Sequence, residues 1–274
     1  MTIRLRGVDA FTDTPFNGNP AAVLLLDEMP SDGWLAAVAR ETNVPDTAFV
    51  VRRRSADADF DLRWFTPSAE VDLCGHATLA AAHCLFDDGM AAPIRFATRS
   101  GLLTVSQRKD GAIVMDFPSN PPAPVEQPAA LEAALGARPL WTGLSPDRFF
   151  LLALFEREDD VHGLTPNMSE LQTLEPRAFI ATARAEADAG HDFVTRLFAP
   201  RIGIPEDPVT GSSHTVLAPF WASRLGKTAL RSLQASHRPG HLDLELEADR
   251  VLIAGRAVII YEGTLSESAA PENQ

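Results

Sequence analysis

The chain has 274 residues, 45% apolar and 22% charged, an ordinary composition for a soluble globular protein long enough for one large domain or two smaller ones. A formal net charge of -13 makes a phosphate backbone an unfavourable partner, so no nucleic acid is expected. No apolar run reaches the length of a membrane span, Met1–Arg6 lacks the apolar core of a signal peptide, and Cys74 and Cys84 suit a reducing, cytoplasmic setting without a disulfide framework.

Residues 3 to 11 alternate as a strand does. Thr14 to Pro20 is loop chemistry, and Ala21 to Leu26 reads as a buried strand. Ser31 caps a helix whose apolar positions are Trp34, Leu35, Val38 and Ala39, with Asn43 and Pro45 ending it. Thr47 to Val51 predicts a strand, and Phe60, Leu62 and Trp64 give the next one its period of two. From His76 to Phe86 a helix without a polar stripe is expected, wrapped on most sides. Such a helix holds Cys84 more than two turns from Cys74, too far to bridge. Strands at Ile94 to Ala97, Gly101 to Val105 and Ile113 to Phe117 are placed to do the wrapping.

Pro118-Ser119-Asn120-Pro121-Pro122-Ala123-Pro124 holds neither a helix nor a central strand, and the domain boundary is placed there. Beyond it come a short helix at Pro128 to Leu135, strands at Pro139 to Trp141 and Phe149 to Leu154, and a helix near Met168 to Leu174. Strands follow at Ala178 to Ala181, Phe193 to Phe198, Ser232 to Ala235, Leu242 to Leu246 and Val251 to Tyr261. The tail from Ser266 onward reads as disordered.

Thr210-Gly211-Ser212-Ser213 leads into the apolar run Val216 to Trp221. A Gly-Ser step opening a buried helix aims backbone N–H groups at whatever lies before it, an anion-binding end. Asp207 stands just ahead of it. Asp72 to Ala82 repeats the arrangement, with Gly75-His76 opening the other helix. Three further stretches match in the same order: Thr47 to Val50 with Arg177 to Ile180, Arg63 to Pro67 with Arg196 to Pro200, and Ser100 to Val105 with Pro239 to Leu244. The offset drifts from about 130 to about 139 residues. This collinearity predicts two halves of one topology facing a shared cleft, with His76 and Ser212 each at the start of a buried central helix.

Two helix N-termini suit a small ligand bearing a carboxylate. The titratable candidates are Asp46, Asp72, Cys74, His76, Asp207 and His214. Asp46, after Pro45, is either a carboxyl at a cleft wall or a turn aspartate. His76 at a helix start is expected to be neutral and is either a cap or an acid/base group. Asp207 orients His76 or a substrate amine, or is a loop acceptor. Asn17-Gly18-Asn19-Pro20 is a plain turn or supplies an amide to the ligand. His83, Cys84 and the tryptophans read as core. No Cys-x-x-Cys pair occurs, and no metal site is expected.

Phe16-Asn17-Gly18-Asn19-Pro20-Ala21-Ala22-Val23, Asp46-Thr47-Ala48-Phe49-Val50, Asp72-Leu73-Cys74-Gly75-His76-Ala77-Thr78 and Gly203 to Ser212 together resemble the PhzF-like, phenazine biosynthesis-like isomerase family. Gln234-Ala235-Ser236-His237-Arg238 is similar to that family's later Gln-x-Ser-x-Arg element. The resemblance runs from about residue 5 to about residue 263. It implies an α+β fold of two similar domains related by pseudo-twofold symmetry, each an antiparallel sheet curled around a central helix as in diaminopimelate epimerase. The domains are then expected at residues 1–118 and 125–264. It also implies acid/base chemistry without a cofactor, and a homodimer. In the phenazine enzyme a glutamate moves a proton on trans-2,3-dihydro-3-hydroxyanthranilate. Carried over, Asp46, His76 and Asp207 are the catalytic positions, and Asn17, Gly75, Gly211 and Ser212 bind the substrate.

The chain departs from the family at two points. Asp46 stands where the family has glutamate, which draws the carboxyl back by one methylene, roughly 1.5 Å. A displacement near 1 Å costs on the order of 100-fold in rate. Arg238 is followed by Pro239 where the family often has glycine. Two alternatives to the isomerase therefore stand: a catalytically silent small-carboxylate-binding protein, and an amino-acid racemase or epimerase working through Cys74. The racemase needs a base on each face, and the position mirroring Cys74 is Thr210, which counts against it.

Overall fold

The structure, a computed structural model, describes residues 3–271. The chain divides into two compact units, one formed by the residues up to Asp116 together with Ala254 onward, the other by Phe117–Ile253.

In the first unit, Arg4–Ala10 pairs antiparallel with Asn19–Leu26 and with Ala257–Thr264. Asn19–Leu26 runs parallel to Asp46–Arg52, which is antiparallel to Phe60–Phe65. Phe60–Phe65 then pairs antiparallel with Glu70–Val71 and parallel with Ile94–Thr98. The hairpin strands Gly101–Gln107 and Ile113–Pro118 follow. The sheet is therefore mixed, more so than the expected antiparallel one. The reason is local: each parallel pair is joined through a helix, which returns the chain in its starting direction. Those helices are α1 (Asp32–Thr42) and α2 (Gly75–Asp87).

Helix α1 is bounded as its residues dictate. The Ser31 side chain accepts the N–H of Trp34 at 3.4 Å, and Asn43 closes the helix in the left-handed region at φ 50. Helix α2 is the buried one. His76 to Ala82, Cys84 and Leu85 are all covered, and the helix packs on Arg4–Ala10, Asn19–Leu26, Asp46–Arg52 and Ala257–Thr264. Its C-terminal end is held by Arg6, which donates to the Cys84 carbonyl at 3.0 Å and pairs with Asp88 at 2.5 Å. A cation at a helix C-terminus is favourably placed against the dipole.

The second unit repeats the pairing order. Phe150–Leu154 is parallel to Ala178–Arg184, which is antiparallel to Phe193–Ala199. Phe193–Ala199 pairs antiparallel with Ile204–Asp207 and parallel with Ala229–Gln234, which is antiparallel to Gly240–Glu247. The short helices are α3 (Leu131–Leu135), α4 (Glu158–His162) and α5 (Met168–Leu171), and the buried one is α6 (His214–Leu225). Helix α6 packs on Ala229–Gln234 and Gly240–Glu247. It is anchored by Trp221, whose ring stacks on Phe193 at 5.5 Å and whose indole N–H donates to the Thr182 hydroxyl at 3.0 Å.

The repeat extends to side chains. Arg63 grips Glu70 with two bonds of 2.7 Å, and Arg196 grips Glu206 with bonds of 2.7 and 3.0 Å. Both guanidinium groups lie over a phenylalanine two residues on, Phe65 and Phe198. Each fork ties the strand that feeds a helix-start loop to the centre of its sheet.

Three further expectations differ from the structure. The residues after Ile253 belong with the first unit, because Ala257–Thr264 pairs with Arg4–Ala10. Helix α6 begins at His214, so Ser212 lies in the preceding turn. The tail is ordered through Pro271: Leu265 donates to the Ile3 carbonyl at 3.0 Å, and the Ala269 carbonyl accepts the Trp34 indole N–H at 2.9 Å. A polar tail acquires such an anchor only from a distant side chain, which no local pattern reveals. Residues 272–274 lie outside the described residues. Cys74 and Cys84 form no disulfide. No helix among the described residues is long and apolar enough to cross a membrane.

Candidate active site

The starts of two neighbouring parallel strands and the start of α2 meet at one place in the first unit. Asn19 opens one strand and Asp46 opens the next, with Ala21 directly opposite Asp46. Helix α2 packs across both strands. Three polar side chains are thereby buried together: Asn19, Asp46 and His76 are 0%, 9% and 6% exposed.

The turn ahead of Asn19 is tight. Gly18 sits at φ +66, and a Cβ there would meet the Ala10 carbonyl oxygen at 2.2 Å, so only glycine fits. The side chain that reaches the imidazole is Asn19, with Nδ2 3.3 Å from His76 Nδ1. Asn17, the expected residue, lies in the turn before that strand, its backbone N–H donating to the Thr14 carbonyl at 3.3 Å.

His76 is neutral at ordinary pH, because burial pushes its pKa down to about 3. An amide nitrogen only donates, so Asn19 makes Nδ1 an acceptor and leaves the ring proton on Nε2. The Cys74 thiol stands on the Nδ1 side as well, with Sγ at 3.4 Å. On the other side Nε2 faces Asp46 Oδ2 at 3.6 Å. The ligand atoms of Asp46, Cys74 and His76 lie within 4.8 Å of one another. The Cys74 thiol and an Asp46 carboxylate oxygen are therefore themselves within that distance, and thiol, carboxylate and imidazole form one compact cluster. A carboxyl facing a neutral imidazole in a buried setting is a pairing suited to proton transfer. The backbone N–H groups of Gly75 and His76 lie in the first turn of α2, where the helix gives them no partner.

In the second unit, Asp207 ends the strand Ile204–Asp207, and the turn from Thr210 to Ser213 leads into α6. The Thr210 hydroxyl donates to Asp207 Oδ2. Gln234 binds both residues: Oε1 accepts the Thr210 N–H at 2.8 Å, and Nε2 donates to the Asp207 carbonyl at 2.9 Å. Gly211 and Ser212 form the turn itself, with the N–H of His214 donating to the Gly211 carbonyl at 3.0 Å.

Other candidates fall elsewhere. His214 is fully buried and structural. Its Nδ1 meets the Thr210 carbonyl at 2.8 Å and so carries the proton, while Nε2 accepts the Ser232 hydroxyl at 2.8 Å. Burial pushes its pKa down to about 4. Asp72 turns its side chain outward, 78% exposed. Cys84 is core, its thiol pushed up to about 12 by burial. Sequence reasoning did not single out Asn19 or assign a role to Gln234. Both stand inside stretches that carry the family resemblance, and only their hydrogen bonds distinguish them from their neighbours.

Comparison with known proteins agrees with this architecture. The family model described as phenazine biosynthesis-like protein matches residues 8–263. An uncharacterized isomerase of Pseudomonas aeruginosa is 46% identical over 267 residues, covering 97% of this chain and 99% of its own. The crystal structure of a PhzF family phenazine biosynthesis protein from Enterococcus faecalis superimposes with a TM-score of 0.91 at 37% identity, covering 97% of this chain and 100% of that one. A probable proline racemase from Agrobacterium radiobacter shares the fold alone, with a TM-score of 0.62 at 15% identity over 97% of this chain and 93% of that one. The chain therefore belongs to the phenazine biosynthesis-like PhzF family of isomerases.

Proposed function

We propose that the chain is a cofactor-independent isomerase that moves a proton on a small carboxylated substrate of the trans-2,3-dihydro-3-hydroxyanthranilate type. Asp46 takes and returns the proton. His76, neutral and protonated at Nε2, presents that one N–H to the substrate beside the Asp46 carboxyl. Asp207 is the further polar group of the reaction. Asn17, Gly75, Gly211 and Ser212 are the substrate-binding positions, the glycines through their backbone N–H groups. The assignments in the second unit rest on the family resemblance, as does assembly into a homodimer.

The observation that carries the reading is the Asp46 carboxyl facing Nε2 of a neutral, buried His76 at 3.6 Å. A carboxylate beside an imidazole with a fixed tautomer is a competent acid/base pair. The racemase alternative finds no support at Thr210, whose hydroxyl is committed to Asp207.

The test is solvent exchange. The protein is incubated in deuterium oxide with trans-2,3-dihydro-3-hydroxyanthranilate, and the substrate is followed by proton NMR. Loss of a ring proton signal together with isomerised product supports the reading. Saturable binding without deuterium incorporation would instead favour the silent binding protein.

A further inference from the structure

Gln234 ends the strand Ala229–Gln234, 24 residues beyond Thr210, and its side chain is completely buried. A buried primary amide has two donors and one acceptor oxygen to satisfy. Gln234 directs both ends at one short loop. Its Oε1 accepts the Thr210 N–H at 2.8 Å, and its Nε2 donates to the Asp207 carbonyl at 2.9 Å and to the Thr210 hydroxyl oxygen at 3.2 Å.

The last of these contacts fixes a direction. A hydroxyl that accepts an N–H from Gln234 has its own proton free for another acceptor, and the Thr210 proton goes to Asp207 Oδ2. The remaining polar atom of Thr210 is also held: its carbonyl accepts from the Ser213 hydroxyl and from His214 Nδ1, both at 2.8 Å. Thr210 is thus a rigid hub, and its one exported hydrogen bond reaches the Asp207 carboxylate. The strand carrying Asp207 is pinned from the other side by the Arg196–Glu206 fork, 2.7 and 3.0 Å.

We propose that Gln234 is a positioning residue that, through Thr210, sets the orientation of the Asp207 carboxylate. The inference rests on the role given to Asp207 under the proposed function. The geometry it describes can be tested without that role.

The experiment reads the carboxyl directly. Protein is labelled with aspartate carrying carbon-13 at the carboxyl, and the Asp207 resonance is identified by its loss in Asp207→Asn. Thr210→Val keeps the side-chain shape and removes the hydroxyl, so the resonance should move, whereas Thr210→Ser should return it to the native position. Gln234→Leu should move it in the same sense as Thr210→Val. If exchange into trans-2,3-dihydro-3-hydroxyanthranilate is observed, kcat should fall about 10- to 100-fold in Thr210→Val at near-constant KM, the cost of a carboxylate displaced by a fraction of an ångström to 1 Å. An unmoved Asp207 resonance in Gln234→Leu, or in Thr210→Val, would overturn the proposal. Should Gln234→Leu not fold, Gln234→Met, of similar length and without the amide, takes its place and is expected to move the resonance in the same way. Should the native protein exchange no proton into the probe, the proposed reaction fails, while the resonance still decides whether Gln234 and Thr210 position Asp207.

Discussion

His76 Nε2 and Asp46 Oδ2 stand 3.6 Å apart, with the imidazole held neutral by burial and fixed from its far side by Asn19. If Asp46 moves the substrate proton, Asp46→Asn keeps the size and removes the titrating group. Exchange into the substrate should then fall by about 100- to 10,000-fold. Asp46→Glu is the sharper test. A site built for the phenazine-type substrate should gain turnover from the longer acid, and a site rebuilt for another substrate should lose it. Full activity in Asp46→Asn would remove this carboxyl from the mechanism.

The two buried imidazoles should leave a signature in stability against pH. Folding lowers the pKa of His76 from 6.5 to about 3 and that of His214 from 6.5 to about 4. Between those values the unfolded chain binds protons that the folded chain refuses. Stability is therefore intact above about pH 6.5 and is lost as the pH falls from there toward about 4. Each histidine contributes a slope of up to about 1.4 kcal/mol per pH unit. Urea midpoints at neutral pH and near pH 5 measure it. His76→Gln should flatten the profile by about one proton, and an unchanged slope in that variant would count against a neutral His76.

The Arg196–Glu206 fork is mostly covered, with side chains 12% and 18% exposed. Arg196→Met strands the carboxylate and should cost about 3 kcal/mol. Pairing it with Glu206→Met should recover much of that loss, since the unpaired charge is the main penalty. Urea denaturation of the two variants makes the comparison. Equal destabilisation by the single and the double change would show that the arginine acts instead through its bonds to the Val161, His162 and Leu164 carbonyls and its packing on Phe198.

The tail should respond to Trp34. Trp34→Phe keeps an aromatic side chain and removes the donor to the Ala269 carbonyl, so residues after Leu265 should be digested faster by carboxypeptidase while the urea midpoint shifts by no more than about 1 kcal/mol equivalent. Truncation that also removes Leu265, which packs against the core around Leu24, Leu35 and Phe49, should cost about 1.5 kcal/mol. Identical digestion of Trp34→Phe and native protein would mean that the Trp34–Ala269 bond does not hold the tail.

Periodicity and punctuation were enough for the local elements. Ser31 and Asn43 bound α1 because a side-chain acceptor and a left-handed residue satisfy helix ends wherever they occur. The all-round apolar surface of α2 marked it as buried. The short pieces escaped: Glu70–Val71, Ile204–Asp207 and α4 are too brief to show a period, and they exist because longer neighbours pair with them or pack on them. Parallel pairing was missed for a related reason. Strand direction depends on where a crossover returns, and alternation along one strand does not carry that information.

The same division holds at the site. The residue types and their collinear repeat were sufficient to single out Asp46, His76, Asp207 and the two glycine-bearing segments leading into the buried helices, because that chemistry is written in adjacent residues. Tertiary structure alone decided the partners. Asn19 meets His76 because it opens the strand on which α2 packs, whereas Asn17 lies in the turn before that strand. His214 became a buried strut and Asp72 a surface carboxylate, although both share loops with stronger candidates. Gln234 binds Asp207 and Thr210 across more than 20 residues. A hydrogen bond depends on distance and angle in space, and separation along the chain determines neither.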